Sequence, residues 1–358
     1  MIRYSFFETE ALRDREATAA DCHRIREELL SNPDLRACFE DGSLIEVGDT
    51  PEPLERSLSR ACLVLPQRSR LLPTFRIRQV RDLLITTDFP IQLRDRVFPW
   101  GDEAELIIDM IEALYRPRNP PRGILNMCSG TGMIALWLAR RYPTETVTAV
   151  DIQSRARSVG KFNLQLNFAQ LDEDITPSVK FITSDLFKYA AEGPIKYDLI
   201  IADPPFALQP PRWPEQSHSA GGKFGDNVIT NLLAQVRMHL KPGGRFFCLA
   251  YSVGTEDQPT RLLDKVEEFL CEPGEDPRRK VKVLEGEKVW RFLEKKRIPS
   301  PMPLPYLAIR VGDPTYRQHE RAPDVDEYID WIEGTLMNKK KGYTHLHYAL
   351  IDHTEPEK

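Results

Sequence analysis

Four short stretches carry side chains that could do chemistry. "NMCSGTG", Asn126 to Gly132, puts two glycines at the junction of an apolar run and a helix-forming run. Glycine there accepts positive φ and lets a ligand approach the backbone. "ETVTAVD" ends on Asp151, twenty-one residues after Gly130, where a doubly wound fold places an acid to accept hydrogen bonds from a ribose diol. "TSDLF" brings Asp185, an acid suited to an adenine exocyclic amine. "YDLIIADPPF", Tyr197 to Phe206, runs four apolar residues into an acid, two prolines and an aromatic ring. Turn and acids together point to a nucleoside site. A tight strand-to-helix connection without a ligand would share the glycines, and Asp151 could instead cap the helix after it. A second acid disfavours a pyrophosphate and favours a cationic ligand such as a sulfonium.

These residues need a frame to hold them, and the chain supplies alternating patterns. Apolar runs in "GILNM", "ETVTAVD", "SVKFITSD", "KYDLIIAD" and "KPGGRFFCLAYS" read as strands. The helical spacing of "EAELIIDMIEALY", "MIALWLARRY", "SRARSVGKFNLQLNF", "NVITNLLAQVRMHL" and "PTRLLDKVEEFL" falls before, between and after them. Strand–helix alternation with near-continuously apolar strands predicts a mostly parallel sheet covered on both faces. The tail "YTHLHYALID" alternates and is expected to be a final antiparallel edge strand. Residues 1–95 read as a separate, mainly helical cap with one hairpin, and 96–358 as the α/β domain. Within it the proline-rich segment 286–342 is expected to form a lid or substrate wall.

Bulk composition limits the function classes. The chain has 358 residues, 41% hydrophobic and 29% charged, which fits a soluble globular protein. No apolar run reaches the roughly 18 residues of a membrane span, so no membrane partner is expected. The N-terminal "MIRYSFFETEALRDRE" has no apolar segment ahead of its charges, and a cytoplasmic location is expected. Six scattered cysteines without a CxxC pair suggest reduced thiols and no metal site. A net charge of −5 disfavours extensive grip on nucleic acid, although "RSRLLPTFRIR" (Arg68 to Arg78) and "RRKVKVLEGEKVWRFLEKKR" (Arg278 to Arg297) are locally basic.

Taken in order, the glycine loop, Asp151, Asp185 and "IIADPPF" resemble the class I S-adenosylmethionine-dependent methyltransferases. The fold this implies is a doubly wound, mostly parallel, seven-stranded Rossmann-like sheet. The cofactor implied is S-adenosylmethionine, held by Asn126, Cys128, Ser129, Gly130, Gly132, Asp151, Ile152, Asp185, Leu186 and Asp203. Asp151 would hold the ribose, Asp185 or Leu186 would border the adenine, and the loop would lie against the methionine. The family commonly has an acid where Asn126 sits and a glycine where Cys128 sits.

The tetrad "DPPF" resembles that of the branch that methylates nitrogen on planar conjugated groups. The catalytic residues implied are Asp203, Pro204 and Phe206. A conjugated nitrogen is a poor nucleophile; a carboxylate and a backbone carbonyl that accept both its N–H hydrogens aim its lone pair at the methyl group. The prolines fix the backbone that presents those acceptors, and Phe206 can stack on the acceptor. "DRVFPWGDEAELIIDMI", with Glu103 and Glu105, and "AGGKFGDNVI" are similar to segments of the release-factor glutamine methyltransferases, whose tetrad is N-P-P-Y. An aspartate at the tetrad also fits a cationic amine, and the acidic balance of the chain with the enclosing 286–342 segment makes a small-molecule or amino-acid-derived acceptor the leading expectation. RNA base or protein glutamine is the alternative, and a non-methylating enzyme or a binding subunit stands further off. Trp100 and Trp213 are candidate stacking platforms, His218 a candidate base, and His345 with His347 a weak metal pair. No GxSxG elbow is present.

Overall fold

A computed structural model describes residues 17–89, 97, 102–117, 119–142, 146–169, 178–208, 221–284, 302–304, 325–337 and 342–357. Trp100, Trp213, His218 and most of the 286–342 segment lie outside the described residues. Seven strands form a sheet in the order β11-β13-β10-β9-β6-β7-β8. They are β6 (Gly123–Met127), β7 (Thr146–Asp151), β8 (Val179–Thr183), β9 (Tyr197–Ala202), β10 (Leu240–Gly254), β11 (Val281–Val283) and β13 (His345–Thr354); a two-residue β12 (Met302–Pro303) pairs β13. The expected α/β sheet is present, and β13 is the strand that runs antiparallel to its neighbours.

The tail strand is not at an edge. β13 lies between β10 and β11, and its central residues Leu346 to Ile351 are all buried. The alternation in "YTHLHYALID" misleads because His347 and Tyr348 are themselves buried and count as core. His347 satisfies one ring nitrogen by a 2.7 Å hydrogen bond with the Thr255 carbonyl. Among the described residues no cluster of three His, Cys, Asp or Glu could hold a metal, and no helix is long and apolar enough to cross a membrane.

Contacts divide the chain into two compact units. One combines residues 1–101 with 129–185. Its N-terminal part contains α1 (Ala19–Ser31), α2 (Pro33–Asp41) and α3 (Glu52–Arg60). Thr18 and Asp21 form a reciprocal capping box at α1, Asn32 caps α2, and Pro51 and Pro53 open α3. The segment holds more strand than its sequence suggests. β1 (Ile45–Glu46), β3 (Arg70–Pro73) and β2 (Val64–Gln67) form a three-stranded sheet, and β4 (Arg76–Val80) pairs with β5 (Leu83–Thr87). The second part contains α5 (Met133–Arg141), β7, α6 (Ser154–Phe168) and β8. Ala156, Val159, Phe162 and Leu166 of α6 join Ile25, Leu29, Leu58, Ile77 and Leu84 in one core. A buried ion pair stitches the same two parts: Arg155 donates to Asp88 at 2.8 Å and 2.5 Å.

The other unit combines residues 102–128 with 186–358. It contains α4 (Asp102–Leu114), β6, β9, α7 (Asn227–Val236), β10, α8 (Thr260–Leu270), β11, α9 (Val325–Thr335) and β13. β9 is paired in parallel by β6 on one side and β10 on the other, with Ala202 opposite both Met127 and Cys248. Leu199 to Ala202 are buried, as the near-continuous apolar run demands.

Candidate active site

In the first unit the glycine turn is held from both ends. Ser129 N–H donates to the Val150 carbonyl, and Gly132 N–H to the Ser129 carbonyl. The carboxylate of Asp151 accepts Gly130 N–H at 2.8 Å and Gln153 N–H at 2.9 Å. Burial pushes the Asp151 carboxyl up, against these backbone donors. A carboxylate has about four lone-pair sites, so the group keeps capacity for a further donor. Ile152, next in the chain, leaves 60% of its surface exposed, a large apolar side chain beside the acid. Asp185 lies two residues beyond the end of β8 and is exposed.

The two glycines of the turn do different work. Gly130 has φ +49°, and a Cβ there would meet nothing within 4 Å, so its backbone is open to a ligand. Gly132 has φ +78°, and a Cβ there would sit 2.7 Å from the Phe181 ring. Its role is packing as well as turning. Cys128 takes φ +56° and Leu186 φ +47°, both in the left-handed region. The first value explains why a glycine is common where Cys128 stands: only glycine adopts that conformation without strain.

Asn126, in the second unit, is fully buried on β6, and its Oδ1 has no hydrogen-bond partner. A buried amide oxygen without a donor costs on the order of 1–3 kcal/mol. That unmet acceptor suits an ammonium or amide N–H.

The tetrad closes β9 in the same unit. Asp203 follows Ala202 directly, so the pairing register sets it level with Cys128 on one side and Leu249 on the other. The residue keeps part of its surface open. Burial pushes its carboxyl up to about 7, and the Glu103 carboxylate of α4 adds to the push. Burial likewise raises the Cys248 thiol, and the charge of Asp203 adds to it. Pro204 is buried. Phe206 meets Tyr251 edge-on at 4.1 Å, and Tyr348 at 6.5 Å. Tyr251 and Tyr348 are cross-strand partners on β10 and β13. Sequence reading missed both tyrosines, since nothing in the local pattern reveals a cross-strand partner a hundred residues away.

A second glycine loop holds the far side of the tetrad. Gly221 N–H donates to the Ala207 carbonyl at 3.0 Å. A Cβ at Gly225 would lie 2.4 Å from the Phe206 carbonyl oxygen, and one at Gly221 would lie 2.7 Å from the Phe206 carbonyl carbon. The loop presses backbone to backbone on Phe206, which no other residue type permits. Asp226, next in the loop, pairs with Arg261 at 2.5 Å, and the guanidinium lies 4.0 Å over Phe224.

Residues 104–269 match the family described as "Methyltransferase small domain". The chain is 34% identical over 161 residues to a release factor glutamine methyltransferase of Koribacter versatilis, covering 42% of this chain and 54% of the relative. It is 33% identical over 165 residues to a ribosomal protein uL3 glutamine methyltransferase of Bradyrhizobium diazoefficiens, covering 44% and 47%. A tRNA1(Val) (adenine(37)-N6)-methyltransferase of Pedobacter heparinus is 30% identical over 130 residues, covering 36% and 52%. The chain thus spans about half the length of each of these relatives. The matched stretch, residues 104–269, carries the glycine turn, both strand-end acids and the tetrad.

Proposed function

We propose that this chain is an S-adenosylmethionine-dependent N-methyltransferase acting on a planar, conjugated nitrogen of a macromolecule. The observation that carries the reading is Asp203: a carboxylate at the end of a buried strand, with Phe206 three residues on and the backbone between them fixed by two prolines. The residues present fit the cofactor. Gly130 offers open backbone, Asp151 is oriented by the turn it anchors, Ile152 offers an exposed apolar surface, and Asn126 has a buried acceptor to satisfy. Asp185 and Leu186 would border the base, and Cys128, Ser129 and Gly132 complete the loop. When bound, S-adenosylmethionine supplies an electrophilic methyl group on a sulfonium, and its thioether product needs no acid.

On the acceptor side Asp203 accepts an N–H of the target nitrogen once ionised, and the fixed backbone carbonyl accepts the other. The nitrogen lone pair is thereby turned toward the methyl group, and the N–H proton that the nitrogen must lose on methylation passes to the Asp203 carboxylate. Alignment of this kind can recover about 7–11 kcal/mol of barrier.

The leading acceptor is the side-chain amide of a protein glutamine. Two of the similar proteins are named for glutamine methylation. This reverses the small-molecule preference drawn from net charge and the 286–342 segment. Net charge is an average over the surface and says little about one acceptor pocket. A base nitrogen is the second reading, favoured by the aromatic grouping of Phe206, Tyr251 and Tyr348 and by the adenine relative. The test is incubation of the chain with methyl-labelled cofactor and a cell extract, followed by partition of the label. Label in protein, released as N-methylglutamine, supports the first reading, and label in RNA the second. Label confined to small molecules, or release of methylthioadenosine, overturns both.

A further inference from the structure

Two asparagines one turn apart on α6 complete the open edge of strand β5. Asn167 accepts Leu84 N–H at 2.8 Å and donates to the Leu84 carbonyl at 2.8 Å. Asn163 accepts Thr86 N–H at 2.9 Å and donates to the Thr86 carbonyl at 3.1 Å. The periods match: two strand residues rise about 6.6 Å, and four helix residues rise about 6 Å. A side-chain amide carries a donor and an acceptor, as a peptide group does, so the helix acts as a surrogate strand.

The two residues differ in one bond. Asn163 uses its second amide hydrogen to reach the carbonyl of Thr131 at 3.0 Å, and Thr131 stands between Gly130 and Gly132. Asn167 spends its second hydrogen on the Asn163 carbonyl of its own helix. Asn163, Asn167 and Thr131 are all buried.

We propose that Asn163 is a positioning residue for the cofactor, and that through it the N-terminal segment shapes the glycine turn. This rests on the reading of that turn as the cofactor loop. Two glycines at positive φ leave the turn free to adopt many conformations. A fixed carbonyl between them removes that freedom before a ligand arrives, and binding then costs less ordering. The same amide holds β5, so the hairpin and the loop are ordered together. The N-terminal segment thereby serves the cofactor, a role separate from any it has toward the acceptor.

The test compares Asn163→Ala with Asn167→Ala in the full chain, by calorimetric titration with S-adenosylhomocysteine and by thermal melting. Both variants lose pairing to β5 and both melt earlier. Asn163→Ala should bind S-adenosylhomocysteine roughly tenfold more weakly, and Asn167→Ala should stay within about twofold of wild type. Asn163→Asp keeps the acceptor for Thr86 N–H, loses both donors, and should follow the alanine variant. In turnover the KM for the cofactor should rise with kcat nearly unchanged. Should the Asn163 variants fail to fold, hydrogen exchange on wild type gives the answer. Added S-adenosylhomocysteine should slow exchange at Thr86 as well as in the turn. Equal affinities of the two alanine variants, or a protected turn with unchanged Thr86, overturn the inference while leaving the methyltransferase reading intact. A wild-type chain that does not bind S-adenosylhomocysteine overturns both.

Discussion

Gly130 donates its backbone N–H to the carboxylate of Asp151 at 2.8 Å, tying the glycine turn to the end of the neighbouring strand's acid. The acid thus has two tasks, anchoring the loop and offering its remaining lone pairs to a ligand. Asp151→Ala removes both. Hydrogen bonds to a charged group are worth about 1.5–3 kcal/mol. Affinity for S-adenosylhomocysteine should therefore fall by about 10- to 100-fold, measured by calorimetry. Unchanged affinity would remove the ribose assignment.

The glycines of the turn should respond differently to a methyl group. Gly132→Ala meets the Phe181 ring at 2.7 Å as well as an unfavourable φ, and should cost about 2–4 kcal/mol of stability. Gly130→Ala meets open space, and should cost only about 1 kcal/mol while weakening cofactor binding. Cys128→Gly relieves a side chain at φ +56° and should leave melting unchanged or slightly higher. Thermal melts of the three variants, with S-adenosylhomocysteine titrations alongside, give the comparison. A Gly132→Ala protein as stable as wild type would contradict the packing role.

The tetrad carboxyl sets a pH dependence. Burial and Glu103 raise Asp203 from an ordinary 3.8 to about 7. Only the ionised form accepts both an N–H and the partial charge of the reacting nitrogen. Turnover should therefore climb with pH up to about 7 and then level. The sign for stability is opposite: the fold favours the neutral acid, so this residue's contribution is fully present below about 4 and is lost as pH rises through about 7. Asp203→Asn keeps an oxygen acceptor without the charge. It should retain part of the turnover, lose the inflection near 7, and melt higher than wild type at pH 8. A persisting inflection in the variant would assign the titration to another group.

Much of this architecture was legible in the sequence, and the gaps have identifiable causes. The helix over "SRARSVGKFNLQLNF" and the strands leading to Asp151 and Asp203 follow from periodicity and apolar runs. The N-terminal segment has two hairpins where its sequence suggests one, because their turns carry no hairpin signal. Arg68 and Arg81 take φ +57° and +56° in two-residue loops, where Asn-Gly or Asp-Gly is the usual signal. Pro66 and Pro73 further obscure β2 and β3; the first is tolerated because β2 is an edge strand. Tyr251, Tyr348 and Asn163 act through partners far away in sequence, which no local pattern encodes.

The buried pair of Arg155 and Asp88 makes a separate prediction. Both side chains are almost wholly buried, and Asp88 also accepts Val97 N–H at 2.9 Å. Asp88→Ala leaves a guanidinium buried without its carboxylate, and should destabilise the chain by about 3–5 kcal/mol in denaturant unfolding. A loss below about 1 kcal/mol would mean that Arg155 finds water or another partner.

The division of labour between Asp151 and Asp203 is tested most directly by measuring binding and transfer on one preparation of Asp203→Ala. The variant should bind S-adenosylhomocysteine within about threefold of wild type. Its transfer of labelled methyl to the fraction that wild type labels should fall at least about 100-fold. Transfer within a few-fold of wild type, with the cofactor still bound, would contradict the account.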